Sequence, residues 1–589
     1  MGRRNAILLG LAAVLVLGGV ARPSSAQPLH ASMREPGVPG GRFVIGVTND
    51  AKTLNPIMSN EASSSEVSDR LFTALTEFDN VTQKVHPALA RSWEASPDGR
   101  TWTWHLRRGA RFSDGHLITA QDVLFSFAVA YDSTLHQSIY DLLTPHGKPM
   151  QVSAPDSYTV VTRIGEPHAV LVPAVGSLRI LPRHVLERAW RAGRFASSYG
   201  VGTPPESLVT SGPWKLKQFV PREKTVLTRN PYWFEVDARG RRLPYLDELV
   251  FVIVPDQNTA TLKFQAGEVD GIDNVKAEDY GTFARNQASG GYTLYDLGAA
   301  LTSNFFWFNL NTVKKPGGRK PIGAPYADPV KYAWFSSRDF RRAVSMAIDR
   351  DAIIRSIFFG DGVENWSLMT PGYRLFFTPR TTAPDYDPPV AKQLLARIGF
   401  RDRDGDGVIE DAKGNPVRFT LKTNAGSTRV QMANFVRDDL ARVGIQCTVA
   451  AVDFNTMLNN MREDFDYDAI LAGLGAAVPP DPGMCGNFYR SSGLSHFWNI
   501  RQMRPETREE ARLDGLFGEL LRPGSLAARQ RLSAQLDQIV DDQCWLIWLP
   551  TMKVKLPVRN RFGNVHPTIL PHRLLWNIET VFVKPQGRR

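Results

Sequence analysis

The sequence predicts an α/β protein, on three observations. Residues 41–47 form a short apolar stretch typical of a strand, and a Ser-rich loop over 59–65 leads into helical spacing over 67–75. Between 417 and 451, two alternating apolar stretches flank a helical stripe, and this βαβ order predicts a pair of parallel strands. No repeat with a period of roughly 20–50 residues occurs, which argues against solenoids and propellers.

The composition is that of an ordinary folded protein. The chain has 589 residues, of which 43% are hydrophobic and 22% are charged. At roughly 100–200 residues per domain, this length predicts about three to four domains, or fewer large ones. The net charge is +11, but the Lys and Arg residues are scattered, so no nucleic-acid partner is expected.

The N-terminus has the features of a secretory signal peptide. Arg3 and Arg4 precede an uncharged stretch over 5–21 that is rich in Leu, Val and Ala, and small residues follow at 24–26. The apolar run is shorter than the ~20 residues that a membrane span requires, and glycines interrupt it. We expect cleavage after Ala26 and export to the periplasm, without a lipid anchor because no cysteine lies near the junction.

The next part of the chain predicts a small α+β unit. Residues 102–106 alternate large apolar with polar side chains, as a half-buried strand does. A turn at Asp114-Gly115 then precedes a helical pattern over 120–130.

Further strands and helices follow in the second half of the chain. Strand patterns lie at 214–219, 225–228 and 249–254. Helical spacing recurs over 340–348, and a second helix is predicted between Asp387, which can cap it, and Gly399, which stops it.

The sequence contains none of the common catalytic or metal-binding motifs. GxSxG, HExxH, the Walker loop and GxGxxG are absent, and the 11 histidines are dispersed. The carboxylate pairs Asp438-Asp439 and Asp541-Asp542 fall on predicted helices with charged neighbours, which indicates solvated surfaces rather than a glycosidase pair. We therefore expect neither an enzyme nor a cofactor.

One acidic string is similar to the first half of a calcium-binding loop. Residues 402–407 fit its first six positions, but the twelfth position is Lys413 instead of Glu. Glu410 or Asp411 could replace the missing carboxylate. A calcium site and a simple Gly/Asp turn both stay open, and no metal is assigned.

The cysteines match neither a zinc site nor a disulfide framework. They are Cys447, Cys485 and Cys544, so at most one internal bridge can form. Cys447 lies on an alternating strand, where a small core residue is expected. Cys485 lies in a predicted loop and is expected to be the most accessible.

A long motif covers residues 87–123. It contains the strings PALARSWE, PDGRTWTWHLRRGARFSDG and TAQDV, and shorter matching strings lie at 211–214, 229–233, 265–270 and 340–350. Together these strings resemble the family 5 extracellular solute-binding proteins, which include peptide- and nickel-binding components of ABC importers. The resemblance spans roughly residues 41–575, nearly all of the chain after the signal peptide.

The resemblance implies a two-lobed periplasmic-binding-protein clamp with an additional inserted α+β domain. The implied parts are the signal peptide over 1–26, lobe one over 27–80, 207–303 and 551–589, the inserted domain over 81–206, and lobe two over 304–550. Apolar strands at 304–309 and 544–549 would cross between the lobes. Hinge closure would present different surfaces to a membrane permease with and without ligand.

In the peptide-binding members of the family, a loop of lobe two carries a Trp and an Asp that pairs with the amino terminus of the peptide. Here Leu474 replaces the Trp, and Ala477 or Val478 falls at the position of the Asp. A buried ammonium without a carboxylate would be costly. A peptide with a free amino terminus is therefore not expected, unless Glu61 or Asp481 supplies the charge.

The candidate substrate-binding residues are Glu61, Asn304, Trp307, Trp366, Asp481, Tyr489, Arg490 and Trp498. The aromatic members would suit the face of a sugar or another ring, and core packing is the alternative. His496 is the only histidine expected near the cleft, with a structural role as the alternative. The substrate stays open among peptides, modified peptides, sugars, opines and nickel chelates.

Taken together, the sequence predicts a periplasmic protein that captures a small organic solute, peptide-like or other, and delivers it to the permease subunits of an ABC importer. We expect a monomer. One alternative is a secreted receptor or chaperone-like protein that is not coupled to transport, and another is a secreted glycoside-acting enzyme. Turnover of a substrate would identify the enzyme, and growth of a deletion strain on the ligand would separate transport from sensing.

Overall fold

The structure, a computed structural model, describes residues 29–30, 35–59, 61–135, 139–314, 320–379, 386–425, 427–475, 477 and 479–585. The expected signal peptide over 1–26 lies outside these ranges. Within them, no helix combines the length and the apolar character that crossing a membrane requires.

The helices alternate with strands along most of the chain. They are α1 Ala62–Leu71, α2 Ala120–Ala130, α3 Ile139–Leu142, α4 Leu171–Gly176, α5 Arg183–Arg191, α6 Gln257–Gln265, α7 Tyr280–Arg285, α8 Gln287–Gly290, α9 Pro329–Ser336, α10 Arg338–Met346, α11 Arg350–Ile357, α12 Pro388–Arg397, α13 Ser427–Ala441, α14 Phe454–Asn459, α15 Gly486–Tyr489, α16 Arg508–Leu520 and α17 Leu526–Asp542.

The strands are short and come from distant parts of the chain. They are β1 Leu29–His30, β2 Arg42–Val47, β3 Thr76–Asp79, β4 Lys84–Pro87, β5 Ala90–Ala95, β6 Thr101–Leu106, β7 Gln151–Asp156, β8 Thr159–Arg163, β9 Trp214–Val220, β10 Lys224–Arg229, β11 Glu235–Val236, β12 Glu248–Ile253, β13 Gly271–Ile272, β14 Tyr292–Ala299, β15 Ser303–Phe308, β16 Gly362–Val363, β17 Arg418–Asn424, β18 Gln446–Val452, β19 Ala469–Leu474, β20 Ile547–Leu549, β21 Thr551–Arg559, β22 Phe562–Gly563 and β23 Phe582–Val583.

The largest sheet has the strand order β14-β21-β13-β2-β12-β10-β9, and β16 joins it beside β21. The central strand β2 runs parallel to both of its neighbours, β12 and β13. Alternate residues of β2 enter two different cores, with Phe43 and Ile45 on one face and Val44 on the other. We call the part of the protein built around this sheet lobe one.

A second, antiparallel sheet in the order β5-β6-β8-β7 lies between two segments of lobe one in the chain. It packs with α2, which begins at a capping box between Thr119 and Asp122. Trp104 of β6 is fully buried and belongs to the same core as Phe43 of lobe one. The predicted helix over 120–130 is confirmed. We call this part the inserted segment.

The third main sheet has the order β18-β17-β19-β15-β20, and we call the part around it lobe two. β17 and β18 are parallel and flank α13, so the predicted βαβ unit is confirmed. The two strands expected to cross between the lobes, β15 and β20, pair with each other, with Asn304 opposite Leu549.

The Ser-rich segment departs from the sequence expectation, because α1 already begins at Ala62 and ends at Leu71. Ser64 is buried, and its Oγ accepts hydrogen bonds from the backbone N–H groups of Lys52 and Thr53 at 2.9 and 3.2 Å. These hydrogen bonds replace those that the buried hydroxyl would otherwise make with water. The expected continuation to residue 75 is wrong. The Leu71 carbonyl accepts the Gly212 N–H at 2.8 Å, and the chain becomes extended at Phe72.

The expectation of solvated carboxylate pairs is wrong at one position. Asp438 is exposed, as expected, and pairs with Arg437. Asp439, the next residue of α13, is only 3% exposed, and its carboxylate accepts the Asp349 N–H at 2.9 Å. A carboxylate that accepts a backbone N–H is tolerated in the interior because the hydrogen bond replaces water.

All three cysteines are free thiols. Cys447 is a buried core residue, as expected, and burial raises the pKa of its thiol to about 12. Cys485 is the most accessible of the three, although burial also raises the pKa of this thiol.

The acidic string folds into a tight loop in which Asp402, Asp404, Asp406 and Glu410 each place one carboxylate oxygen within 4.8 Å of the others. Glu410 is therefore the carboxylate that converges with the string, whereas Asp411 accepts the N–H groups of Lys413 and Asn415. The calcium site and the turn both stay open.

Candidate binding cleft

A cleft of about 650 Å³ lies where lobe one, the inserted segment and lobe two meet. Its walls come from α1 and the residues after it, from Pro173 to Arg179, from Leu301-Thr302, from Gly475 and Pro479, and from residues 569–579. Because these segments are far apart in sequence, the cleft exists only when the three parts are assembled.

The lobe-one wall of the cleft is formed by one face of α1. Glu66, Asp69 and Arg70 lie at the three- and four-residue spacing that places side chains on the same side of a helix. Val67 and Leu71, on the opposite side, are buried in the core of lobe one. The amphipathic pattern of α1 thus directs its charged residues into the cleft.

His572 joins these charges into a cluster. Its Nδ1 lies 2.9 Å from Glu66 Oε2, and its Nε2 lies 2.8 Å from Asp69 Oδ2. Asp69 also accepts a hydrogen bond from Arg179 Nε of the inserted segment at 3.0 Å. Ionised carboxylates only accept hydrogen bonds, so an imidazole held between two of them is in its protonated, doubly donating form.

The electrostatic environment agrees with this arrangement. Burial alone would raise the pKa of Glu66 and of Asp69. His572 and Arg70 outweigh it at Glu66, and Arg179 and His572 outweigh it at Asp69, so both pKa values lie below their ordinary values. Burial and the Arg70 charge act to lower the pKa of His572, yet the two carboxylates raise it overall. The cluster is therefore a set of mutually stabilised charges.

The backbone beneath this cluster is strained. His572 and Arg573 have φ values of +63° and +26°, a region that residues other than glycine rarely adopt. Arg573 Nη1 is held by Asp273 Oδ2 at 2.9 Å. Strain of this kind persists where the surroundings fix the side chains, and it concentrates at binding sites.

Apolar and aromatic groups line the rest of the lobe-one wall. Trp233 and Trp576 both reach the cleft, and their indole N–H groups donate to Glu235 and to the His566 carbonyl. Trp233 is 5% and Trp576 is 8% exposed, so only the small part of each ring that borders the cleft is left to contact a solute. Ile569, 9% exposed, adds to this apolar surface.

Arg429, a partly buried cation of lobe two, does not itself line the cleft but lies close to Thr302, which does. A Cβ atom at Gly473 would lie 2.6 Å from Arg429 Nη2 and 3.0 Å from Thr302 Cγ2, so only glycine lets the guanidinium lie against β19 beside the cleft. Arg429 Nη1 donates to Asn424 Oδ1 at 3.0 Å. Among the described residues, its Nε has no acceptor and it forms no ion pair.

The acidic residues of the cleft already have polar or ionic partners. The carboxylates that line it are Glu66, Asp69, Glu77, Glu235, Asp273 and Glu579. Each of them already takes part in polar or ionic contacts within the protein. An incoming ammonium group would have to displace one of these contacts, whereas Arg429, beside the cleft, has no carboxylate partner among the described residues.

Three of the expected aromatic residues are enclosed by the core of lobe two. Trp307 and Tyr489 are 0% exposed and Trp498 is 1% exposed. Trp307 Nε1 donates to Tyr467, Tyr489 Oη to Asp537, and Trp498 Nε1 to Glu510. In this conformation a solute cannot reach these rings.

His496, expected near the cleft, is also fully buried. Its ring lies 3.8 Å from that of Trp498, centroid to centroid, and Nδ1 lies 3.2 Å from the Phe488 carbonyl oxygen. The geometry therefore supports a structural role for His496 rather than a place in the cleft.

Asp481 and Arg490 lie in lobe two outside the cleft. Asp481 receives both ends of the Arg529 guanidinium, at 2.6 and 2.7 Å, so its charge is already neutralised. Arg490 lies over the Phe517 ring and lines a smaller pocket of about 210 Å³ between lobe two and the inserted segment. Trp366 lies beneath the Arg350 guanidinium, 4.0 Å from the ring centroid.

Asn304 and Glu61 do not line the cleft but lie close in the chain to Thr302 and Ala62, which do. Asn304 donates to the Pro550 carbonyl at 3.3 Å, and its Oδ1 would lie 3.1 Å from a Cβ at Gly473, so it neighbours Arg429. Glu61 precedes α1, where its carboxylate accepts a hydrogen bond from Ser64. Ala477 packs against the core of lobe two. Val478 lies outside the described residues.

Sequence reasoning missed His572, Asp69, Arg179 and Arg429. The first three are brought together from segments more than a hundred residues apart, and no local spacing signals such a contact. Arg429 had one available signal, because Gly473 interrupts an apolar strand, and a glycine in a strand often marks a close approach by another group.

Comparison with known proteins agrees with this architecture. The family model described as bacterial extracellular solute-binding proteins, family 5 Middle, matches residues 84–496. A probable ABC transporter-binding protein of Deinococcus radiodurans is 28% identical over 522 residues, covering 85% of this chain and 85% of that protein. The oligopeptide-binding protein AppA of Bacillus subtilis is 25% identical over 604 residues, covering 98% of this chain and 99% of that protein.

Solved structures show the same fold. AppA of Bacillus subtilis in complex with a nonapeptide has a TM-score of 0.73 at 23% identity, covering 94% of this chain and 100% of that one. The periplasmic binding protein MelB of Agrobacterium fabrum, in complex with stachyose, has a TM-score of 0.76 at 21% identity, covering 94% and 87%. The predicted two-lobed fold is confirmed, and the chain belongs to the family 5 bacterial extracellular solute-binding proteins.

Proposed function

We propose that this protein captures a small organic solute in the cleft between its lobes, in the periplasm, and delivers it to the permease subunits of an ABC importer. It acts as a monomer and without catalysis. The observation that carries the proposal is the cleft itself, whose walls come from both lobes, so that relative movement of the lobes would enclose or release a solute.

The solute carries an anionic group that pairs with Arg429. Burial lowers the pKa of this guanidinium, which indicates that water does not fully compensate its charge. Guanidinium binds carboxylate and phosphate groups in a bidentate manner, and Nε of Arg429, although shielded from solvent, has no acceptor among the described residues. The remainder of the solute packs against Trp233 and Trp576 on the opposite wall.

A free amino terminus is not part of the recognised group. Asp481, the nearest acidic residue in the loop that carries the amine-pairing Asp in related proteins, is committed to Arg529. The relatives differ in what they bind, since AppA is solved with a nonapeptide and MelB with stachyose. An amino-blocked or modified peptide and an acidic sugar derivative both fit the cleft as described.

The alternative of a glycoside-acting enzyme requires a carboxylic acid that stays protonated near neutral pH. The cleft acids Glu66 and Asp69 have lowered pKa values, the opposite of what a general acid needs. Burial raises the pKa of Asp273, but Arg573 holds its carboxylate at 2.9 Å. The geometry therefore favours binding over hydrolysis.

The first experiment is mass spectrometry of the protein purified under native conditions. A clamp that encloses its solute retains it, so we expect a bound compound of a few hundred daltons with at least one anionic group. Recovery of a compound without an anionic group would contradict the assignment of Arg429.

Small-angle scattering with the recovered solute tests the clamp. Compaction on adding the solute is expected, together with a stabilisation of about 2.7 kcal/mol at a hundredfold excess over the Kd. Tight binding without compaction would overturn the clamp mechanism. Growth of a deletion strain on the solute separates import from the alternative of a receptor or chaperone-like protein.

A further inference from the structure

A second cavity, of about 390 Å³, lies within lobe one. It is located where the parallel strands β2, β12 and β13 end, at Val47, Ile253 and Ile272. In α/β sheets, ligands bind beyond the carboxyl ends of the parallel strands. This location makes the cavity a candidate site in its own right.

Helix α1 lies between this cavity and the interlobe cleft over part of their length. Ser63 and Val67 line the second cavity, whereas Ser65 and Asp69 of the same helix line the cleft. The two spaces adjoin at five shared lining residues, which are Ala62, Glu66, Asp273, His572 and Arg573. A molecule in the second cavity would therefore be held by lobe one alone and would not require the lobes to close.

The back wall of the second cavity is apolar. It is formed by Ile45, Val67, Phe251, Ile272 and Leu574. Most of these side chains also belong to the core of lobe one, so their positions are fixed by packing. Such a wall suits a hydrocarbon chain.

The charges around the second cavity do not balance. Of its carboxylates, Glu66 is bound to His572 and Asp273 is bound to Arg573, which leaves Asp50. Among the described residues, no cation pairs with Asp50. Its Oδ2 accepts the Arg222 N–H at 2.8 Å, and its Oδ1 has no donor. The lining thus carries one uncompensated negative charge.

A second oxygen on the lining also lacks a donor. Asn274 Oδ1 is shielded from bulk water without a hydrogen-bonding partner, although the backbone carbonyl of Asn274 accepts from Gln257 at 3.1 Å. An unpartnered buried oxygen costs about 1–3 kcal/mol. A guest with more than one N–H would satisfy Asp50 and Asn274 together.

We propose that the second cavity binds a small organic ammonium ion, with its N–H groups directed to Asp50 and Asn274 and an apolar tail against the back wall. The positive charge offsets that of Asp50, and the N–H groups supply the donors that the two oxygens lack. This site is independent of the anion-binding role of Arg429 in the cleft, so either can fail without the other.

The test is ligand-observed NMR on the full mature chain with three probes of equal length, n-pentylammonium, 1-pentanol and pentanoate. Binding is expected to follow the order ammonium, alcohol, carboxylate. In D50N the ammonium should bind at least about tenfold more weakly, because a charged hydrogen bond is lost. The matched control D438N removes an equal charge from an exposed part of α13 and should leave the binding unchanged.

Two further variants keep the test independent of folding defects. V47F fills the cavity and should abolish ammonium binding. N274D adds a second carboxylate to the lining and should strengthen it, a gain that misfolding cannot produce. Equal binding of all three probes, preferential binding of pentanoate, or ammonium binding that D50N and N274D leave unchanged would overturn the proposal.

Discussion

The two walls of the interlobe cleft satisfy their charges in different ways. On the lobe-one wall, Glu66, Asp69, His572 and Arg179 neutralise one another, and Arg573 is held by Asp273. In lobe two, Arg429 beside the cleft has a neutral partner in Asn424 and no carboxylate among the described residues. The charges of the lobe-one wall are therefore balanced without a solute, whereas that of Arg429 is not.

This difference suggests a division of roles. A wall whose side chains are already fixed by ion pairs loses little entropy when a solute arrives, so the lobe-one wall acts as a preorganised platform. A partly buried guanidinium without a counter-ion gains most from binding. The anionic group of the solute thus supplies the contact that favours the closed state, and it does so on the lobe that moves against the platform.

The largest effect is expected from R429M. Removing one partner of a buried charge pair costs about 3 kcal/mol, or roughly a hundredfold in affinity. Calorimetry with the solute recovered from the purified protein measures this change. R437M is the matched control, because Arg437 lies on the same helix but is exposed and paired with Asp438. An equal loss in both variants would contradict the special role of the lobe-two wall.

A smaller effect, on stability, is expected from D69N. Asp69 bonds both His572 and Arg179, so the variant leaves two cations of the platform without their carboxylate. We expect a loss of about 2 kcal/mol in the free energy of unfolding. Urea denaturation measures it, with D438N as an exposed control that should change stability by less than about 0.5 kcal/mol. If D69N matched its control, the lobe-one wall would not be a fixed platform.

The sequence reveals the elements of this fold better than its site. The βαβ unit over 418–452 and the helix over 120–130 follow from short-range patterns of apolar residues, which local sequence carries. The cleft depends on contacts such as that of His572 with Glu66, which lie 506 residues apart. Composition cannot reveal such pairs, because an ion pair in the cleft and an ion pair on the surface consist of the same residue types.

The aromatic residues show the same limit. Trp307 and Trp498 are expected near the cleft, whereas Trp233 and Trp576 are not among the candidates, although all four are the same residue type. Residue type does not reveal which rings the tertiary packing encloses. The structure encloses the first two in the core of lobe two and places the other two at the cleft.

A further prediction concerns the loop of lobe two at Val478. Unblocked dipeptides and tripeptides should bind poorly to the native protein, since the carboxylates of the cleft and Asp481 are already engaged. V478D should improve their binding by about 1–2 kcal/mol and weaken that of the native solute. A calorimetric peptide panel measures both changes. Micromolar binding of unblocked peptides to the native protein would refute the prediction.

The smallest effect is a pH dependence of stability. The raised pKa of His572 stabilises the fold fully below the unfolded value of 6.5, and this contribution is lost as the pH rises through the folded value. The lowered pKa values of Glu66 and Asp69 stabilise it above 4.5 and 3.8, and these contributions are lost on acidification. Arg70, Arg179, Arg573 and Asp273 also face this cluster.

The stability difference between the native protein and H572Q should therefore be largest near about pH 5.5 and shrink toward pH 9. Urea denaturation at the two pH values measures it. A difference that grows with pH would show that His572 is neutral in the folded protein.

The most direct test of the central claim is a crystal structure of the native protein with the solute that copurifies with it. The account predicts that the solute lies in the interlobe cleft, with an anionic group on Arg429 and its remaining surface against Trp233 and Trp576. A solute bound elsewhere, or one that presents a neutral or cationic group to Arg429, would contradict it.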